Sequence, residues 1–279
     1  MKNPYVPIPV TIDEVLIEND QRDIKTFQLS FDREEDRDCF AYLPGQFAEL
    51  SLFGTGECPI GIASSPTETG HLLFSVKRTG VVTGELHASA PGRRMGLRGP
   101  LGHPFPWERM VGKNILIVSG GFAFTTLRSC IIYMLDPANR QRFGAITAVY
   151  GAREPGELLY KKSISEWISR TDIEFIPTID KQKDAWEGRV GLVPNVVKEL
   201  APSAENALAL VCGPPIMIRF TIPVLLELGF APEDIILSLE NRMKCGIGKC
   251  GRCNVGRVYV CKDGPVFTWA ELKRLPQEY

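Results

Sequence analysis

The chain has 279 residues, 44% of them hydrophobic, with 32 basic and 33 acidic side chains for a net charge of −1. This suits a soluble globular protein with two core-forming domains and a small appendage. The balanced charge argues against a nucleic-acid surface, and no uncharged run approaches the ~18 residues that a membrane-crossing helix needs, so neither nucleic acid nor membrane is an expected partner.

Residues 5 to about 107 read as short strands separated by turns, clearest over 6–17, 25–31, 46–53 and 72–77. Ala48, Leu50 and Leu52 make one apolar face, and Leu72, Phe74 and Val76 make another. Period-two patterning of this kind, with Pro44-Gly45 and Gly54 at its edges, predicts a small antiparallel β-barrel. No helix is expected before residue 83. Beyond a boundary near Trp107–Lys113 the pattern changes to apolar runs at 115–118, 145–150, 173–178, 207–211 and 235–239. Helical stretches at about 124–135, 157–169, 193–200 and 215–229 lie between them, with Pro223 expected to kink the last. Strand–helix alternation at this spacing predicts a doubly wound parallel α/β sheet. The expected domains are 1–110, 111–234 and 235–279.

Within the barrel, Cys58 to Ser65 is an apolar-small strand ending in hydroxyls. After Lys77-Arg78, Gly80 and Thr83 open a short helical stretch through Leu86, with Thr83 as its expected cap. A helix N-terminus beside a glycine can receive an anion, although an ordinary N-cap gives the same pattern. In the sheet domain three loops follow strands at one edge. They are Ser119-Gly-Gly-Phe-Ala-Phe-Thr-Thr126, Tyr150-Gly-Ala-Arg153 and Cys212-Gly-Pro-Pro-Ile-Met217. Doubly wound folds bind nucleotides at that edge, and tight turns occur there as well.

Four cysteines near the C-terminus carry the strongest signal. Cys245, Cys250, Cys253 and Cys261 have four, two and seven residues between successive members. The first three repeat the C-x4-C-x2-C opening of plant-type 2Fe–2S ligation, with a fourth ligand that follows sooner. Gly246, Gly248 and Gly251 suit a loop that turns its amides toward cluster sulfurs. Structural zinc and disulfides are the alternatives. Among the other four, Cys39, Cys58 and Cys130 are expected to pack. Eight cysteines behind an N-terminus with no apolar signal core suit a reducing cytoplasm. The three histidines show no metal-ligand spacing.

Together these stretches resemble the ferredoxin–NADP reductase superfamily along essentially the whole chain. Within it they look most like the iron–sulfur flavoprotein subunits of hydrogenase/sulfhydrogenase (the gamma subunit), of anaerobic sulfite reductase and of dihydroorotate dehydrogenase (the electron-transfer subunit). The ending Ser238-Leu-Glu-Asn-Arg-Met-Lys-Cys-Gly-Ile-Gly-Lys-Cys-Gly-Arg-Cys253, then Val260 to Phe267, is similar to the gamma branch.

The resemblance implies an FAD-binding barrel, an NAD(P)-binding Rossmann-like domain and a 2Fe–2S module held by the four cysteines. It implies that Pro59, Ile60, Gly61, Ile62, Ala63 and Ser64 lie along the isoalloxazine, and that Gly80, Val82 and Thr83 form the turn under the FAD pyrophosphate. Lys77 or Arg78 would assist the backbone amides there. The nucleotide would be met by Gly120, Gly121, Thr125 and Thr126, by Gly151 and Arg153 on the adenosine side, and by Gly213 and Pro214 on the nicotinamide side. Cys212 would stand near the reacting nicotinamide carbon as the catalytic residue.

Two departures stand out. The flavin strand of the family usually reads Arg-x-aromatic-Ser, where this chain has Cys58, Ile60 and Gly61. The family's third nucleotide-loop glycine is Ala123, whose Cβ would strain any positive φ. The implied activity is that of an NAD(P)H-dependent flavin/iron–sulfur oxidoreductase, passing electrons from NAD(P)H through FAD and the cluster to other redox subunits of a heteromeric complex. The acceptor would be a hydrogenase, sulfite reductase, heterodisulfide reductase-like partner or ferredoxin. The alternatives are a wiring subunit without nucleotide exchange and a dihydroorotate dehydrogenase electron-transfer subunit.

Cys253→Ala should abolish the visible absorbance of an iron–sulfur cluster in anaerobically purified protein, and Cys39→Ala should leave it intact. One zinc and no acid-labile sulfide would overturn the cluster assignment.

Overall fold

A computed structural model describes residues 3–183 and 186–276. The first half is a six-stranded antiparallel sheet of β1 (Ile8–Ile17), β2 (Ile24–Phe31), β3 (Phe47–Leu52), β4 (Gly56–Gly61), β5 (Leu72–Lys77) and β6 (Arg94–Leu101). Its strand order is β4-β3-β6-β1-β2-β5. The two edges meet where the chain leaves β4: the Ala63 amide donates to the Leu73 carbonyl across 2.9 Å, which closes the barrel. Val10, Phe27, Leu29, Ala48, Leu50, Phe74 and Leu97 fill its interior with no exposure to solvent. This is the alternating apolar face that period-two patterning predicts.

Two short helices decorate the barrel, α1 (Glu34–Cys39) and α2 (Val81–His87). Both begin before residue 83, contrary to expectation. The first is a six-residue acidic turn without the 3.6-residue apolar repeat that would announce it. The Gly80 backbone, not Thr83, occupies the N-cap of α2. Thr83 is the third helical residue, and its hydroxyl reaches back to accept the amides of Thr79 and Gly80, each at 2.9 Å. It satisfies two amides at the helix entry from inside the helix.

After α3 (Trp107–Met110) come β7 (Asn114–Gly120), α4 (Phe124–Leu135), β8 (Ile146–Ala152), α5 (Lys161–Ser169), β9 (Glu174–Ile179), β10 (Arg189–Val190), α6 (Val193–Leu200), β11 (Ala207–Cys212), α7 (Pro215–Glu227) and β12 (Ile235–Ser238). The strands form a parallel sheet in the order β10-β9-β8-β7-β11-β12. The α4 and α5 residues share one apolar core, and those of α6 and α7 share the other. The chain runs outward from β7 to β10 and returns to place β11 on the other side of β7. The topological switch point therefore lies between the carboxyl ends of β7 and β11.

The C-terminal stretch carries the hairpin β13 (Asn254–Val255) and β14 (Val258–Tyr259), then α8 (Val260–Asp263), β15 (Val266–Thr268) and α9 (Trp269–Leu272). Strand β15 adds antiparallel to β12 and extends the large sheet to seven strands. Cys253, Val255, Val260, Cys261 and Phe267 share their core with α6, α7 and the sheet. The cysteine-rich segment is thus folded onto the parallel sheet.

It also meets the barrel. The buried Arg98 of β6 donates to Glu57 at 2.8 Å, to the Pro4 carbonyl at 2.9 Å and to the Cys245 carbonyl at 3.3 Å. Gly246 has φ +71°, and a Cβ there would stand 2.5 Å from Leu101 Cδ1, so both conformation and close approach require glycine. Glu49 of β3 lies at the same junction, fully buried, and neither of its carboxylate oxygens has a hydrogen-bond partner among the described residues. Burial pushes its carboxyl up to about 8, with Arg98 opposing and Glu57 and Cys245 adding to the rise. In acid both folded and unfolded chains hold this proton. As pH rises above the usual 4.5 the unfolded chain ionises first, and stability falls until about 8.

Glu49→Gln should remove that dependence. In urea denaturation the variant should match wild type near pH 4 and exceed it by about 4 kcal/mol near pH 8. Equal stability of the two proteins at the higher pH would contradict the burial of an unpaired carboxyl.

Candidate functional site: a cysteine loop against the barrel and a cleft at the switch point

The cysteine loop turns its amides inward. Gly248 N–H donates to Cys261 Sγ at 3.2 Å, Lys249 and Cys250 N–H to Cys245 Sγ at 3.3 and 3.4 Å, and Cys261 N–H to Cys253 Sγ at 3.5 Å. Positive φ at Gly246, Gly248 and Gly251 makes this wrap possible. Burial raises the Cys245 thiol, but the amides of Ile247, Cys250 and Lys249 outweigh it and bring the group down to about 7. Burial, reinforced by the neighbouring Cys253 and Cys245, pushes Cys261 up to about 12. Converging thiols oppose one another's ionisation, an opposition that bound cationic metal relieves.

Cys250 lies beside Cys245, and Cys253 and Cys245 both lie near Cys261. Among the described residues, no three Cys, His, Asp or Glu groups already surround one point at which a single ion could sit. Thiols that accept inward amides fit an iron–sulfur cluster, whose sulfurs take such hydrogen bonds. All eight cysteines are free thiols. Cys39 is exposed, so the expectation that it packs fails: it ends the unforeseen helix α1 at the surface. Cys58 is half-buried and Cys130 buried.

The segment Pro59–Ser64, expected to face the flavin, lies next to this junction. Pro59 pairs with Glu49 across the β3–β4 ladder, Ile60 with Ala48 and Gly61 with Phe47. Beyond the strand, Ile62, Ala63 and Ser64 are fully buried. The Ser64 hydroxyl accepts the Leu73 amide at 3.0 Å and bonds the Tyr42 hydroxyl at 3.0 Å. Lys77 faces Asp23 at 3.4 Å, so its charge already has a partner. Val82 is half-buried beside Gly56.

At the switch point β7 ends in Gly120 and β11 in Cys212, and the Ser119 hydroxyl ties them by donating to the Cys212 carbonyl at 2.9 Å. The space left by two glycines is filled from α7. A Cβ on Gly120 would meet Met217 Sδ at 2.6 Å, and one on Gly213 would meet Met217 Cε at 2.2 Å. These glycines therefore have a packing role of their own. Gly151 has one too, with Val193 Cγ2 2.3 Å from its missing Cβ. Tyr150 stacks on Phe124 at 3.9 Å and its hydroxyl donates to the Gly121 carbonyl, bracing the loop. Tyr150 and Met217 lie in the loops that the sequence places at the nucleotide edge, but their packing roles arise from contacts distant in the chain.

Gly121 takes the positive φ of the loop, +56°, while Ala123 is right-handed at −64°. The strain expected at Ala123 is absent, because a single 3-10 turn over Gly121–Ala123 leads into α4. Thr125 is buried, Thr126 half-buried, Pro214 and Arg153 exposed. Cys212 is buried. Its thiol donates to the Ser238 carbonyl at 3.5 Å, and burial pushes it up to about 12, so it is a neutral S–H. The structure brings Gly120, Gly121, Cys212 and Gly213 together at the switch point and the four cysteines together beside the barrel. The Gly80–Thr83 turn belongs to the barrel alone.

Comparison with known proteins agrees with both halves. Residues 117–222 match the oxidoreductase NAD-binding domain, and 240–273 match the iron–sulfur cluster binding domain of dihydroorotate dehydrogenase B. Sulfhydrogenase 1 subunit gamma of Pyrococcus furiosus is 36% identical over 258 residues, covering 90% of this chain and 88% of that one. A probable dihydroorotate dehydrogenase B electron transfer subunit of Thermococcus kodakarensis is 32% identical over 263 residues, covering 94% and 97%. Among solved structures, an NADH-dependent reduced ferredoxin–NADP oxidoreductase superposes with a TM-score of 0.73 at 25% identity, covering 100% of this chain and 95% of that one. A ferredoxin NADP+ reductase from Neisseria gonorrhoeae with bound FAD and NADP shares the fold, with a TM-score of 0.67 at 19% identity over 82% and 96%. With identity above 30% along nearly its whole length, the chain belongs to the family of sulfhydrogenase gamma subunits and dihydroorotate dehydrogenase B electron-transfer subunits, built on the ferredoxin reductase-like fold.

Proposed function

We propose that this chain is an electron-transfer flavoprotein subunit that passes electrons between NAD(P)H, FAD and a 2Fe–2S cluster to a partner oxidoreductase in a heteromeric complex. The contact of Arg98 with the Cys245 carbonyl carries this reading, because it seats the cysteine loop on the barrel beside the flavin strand. FAD, when bound, accepts electrons in pairs and releases them singly, which is the chemistry that joins a nicotinamide to an iron–sulfur centre.

The protein's own residues have positional roles. Residues 1–110 hold the flavin, with Pro59–Ser64 along the ring and Gly80–Thr83 under the pyrophosphate. Residues 111–234 hold the nucleotide at the switch point, where the neutral Cys212 thiol marks the nicotinamide end. Residues 235–279 hold the cluster through Cys245, Cys250, Cys253 and Cys261, whose inward amides favour thiolate sulfur. Lys244, Lys249 and Arg252 ring the loop and suit an acidic redox partner. Among the described residues no helix is long and apolar enough to cross a membrane. With its free thiols, the subunit is assigned to the cytoplasm.

Met217, lodged between Gly120 and Gly213, favours a second reading in which the subunit keeps FAD and cluster but no longer exchanges nucleotide. Anaerobic titration with NADH and with NADPH separates the two. Flavin absorbance should bleach with at least one of them. Iron and acid-labile sulfide should each be present at about two per chain, as a 2Fe–2S centre requires. A protein with full flavin that neither nucleotide bleaches at millimolar concentration is the wiring subunit. A colourless protein overturns both readings.

A further inference from the structure

Helix α4 runs beside the flavin strand and touches it at three successive places. Arg128 donates to the Ala63 carbonyl at 2.8 Å and holds Glu68 with both ends of its guanidinium, at 2.9 and 3.0 Å. The Ser129 hydroxyl donates to the Ser64 carbonyl at 2.7 Å. The third place is different. Gly61 has an ordinary backbone conformation that any residue adopts, paired in the ladder with Phe47. What a Cβ on it would meet is Thr126 Oγ1, at 3.0 Å, with no other atom within 4 Å. Glycine at 61 and threonine at 126 are therefore a matched pair, in which the missing side chain makes room for the hydroxyl.

That hydroxyl makes no hydrogen bond to any described residue, although Arg128 and Ser129 on the same helix spend theirs on the strand. Thr126 is half-buried, at the seam between the barrel and the parallel sheet. A polar group held there by a fixed helix, against a strand that leaves space for it, is oriented for a ligand lying along that strand. We propose that the Thr126 hydroxyl hydrogen-bonds the polar edge of the isoalloxazine ring of bound FAD, in place of a side chain at position 61, and is not a ligand of the nucleotide phosphates. The assignment rests on Pro59–Ser64 being the isoalloxazine strand.

Four variants test it by FAD binding and by the absorbance spectrum of bound flavin, both independent of turnover. Thr126→Val keeps the shape and removes the hydroxyl. It should weaken FAD binding about fivefold to tenfold, the worth of one hydrogen bond, and shift the flavin spectrum. Thr126→Ser should stay within about twofold of wild type, since the donor is kept. Gly61→Ser alone should weaken binding by crowding Thr126, whereas Gly61→Ser with Thr126→Ala moves the hydroxyl across the gap and should recover most of the affinity. The recovery separates a ligand role from a folding defect. An unchanged FAD affinity and spectrum in Thr126→Val overturns the proposal, and weakened NADH binding in that variant with unchanged flavin returns Thr126 to the nucleotide loop. If wild type itself takes up no FAD, the flavin reading has failed together with the Thr126 assignment, a result distinct from a flavin-replete protein indifferent to Thr126.

Discussion

Arg98 reaches the cysteine loop from the barrel wall, and the position of the four sulfurs relative to β4 depends on it. A guanidinium that is 6% exposed must find acceptors for its planar fork. It finds the Glu57 carboxylate, the Pro4 carbonyl and the Cys245 carbonyl, which belong to three separate segments. Any movement of the loop away from the barrel would leave part of a buried charge without a partner, which is strongly unfavourable. Gly246 allows the close approach, and the amide of His103 donating to the Gly264 carbonyl at 2.7 Å fixes the far side of the module. The separation of the barrel strand β4 from the cysteine loop is set by these buried polar bonds.

The second seam is built on the same principle with different groups. Arg128, buried and paired with Glu68, stacks over Tyr160 at 5.1 Å, and the Tyr160 hydroxyl bonds Ser75 of the barrel. The Tyr160 amide donates to Glu18 at 3.0 Å. These contacts tie the parallel sheet to the barrel along the flank of Pro59–Ser64. The seam between them is therefore held by specific pairs and is not a soft hydrophobic contact. Met217 adds a packed floor at the switch point, so that two loops whose glycines look poised for ligand are also rigidly joined to each other.

Much of this was determined locally. The period-two barrel strands, the alternating strand–helix half and the C-x4-C-x2-C loop with its glycines are all patterns of neighbours in sequence, so the chain alone established both sheets and the family likeness. What it missed has a common cause. Helix α1 lacks a periodic apolar face, and Thr83 works from inside its helix. Strand β15 is three residues long and becomes legible only when β12 is beside it.

Three features belong to the tertiary structure. Arg98 meets Cys245 across 147 positions, Met217 fills the space at both Gly120 and Gly213, and Thr126 faces Gly61. A glycine in the sequence says only that no side chain is wanted. Which atom occupies the vacated space, and whether that atom is a sulfur packing the core or a hydroxyl left for a ligand, is decided by elements that the chain brings together from far apart.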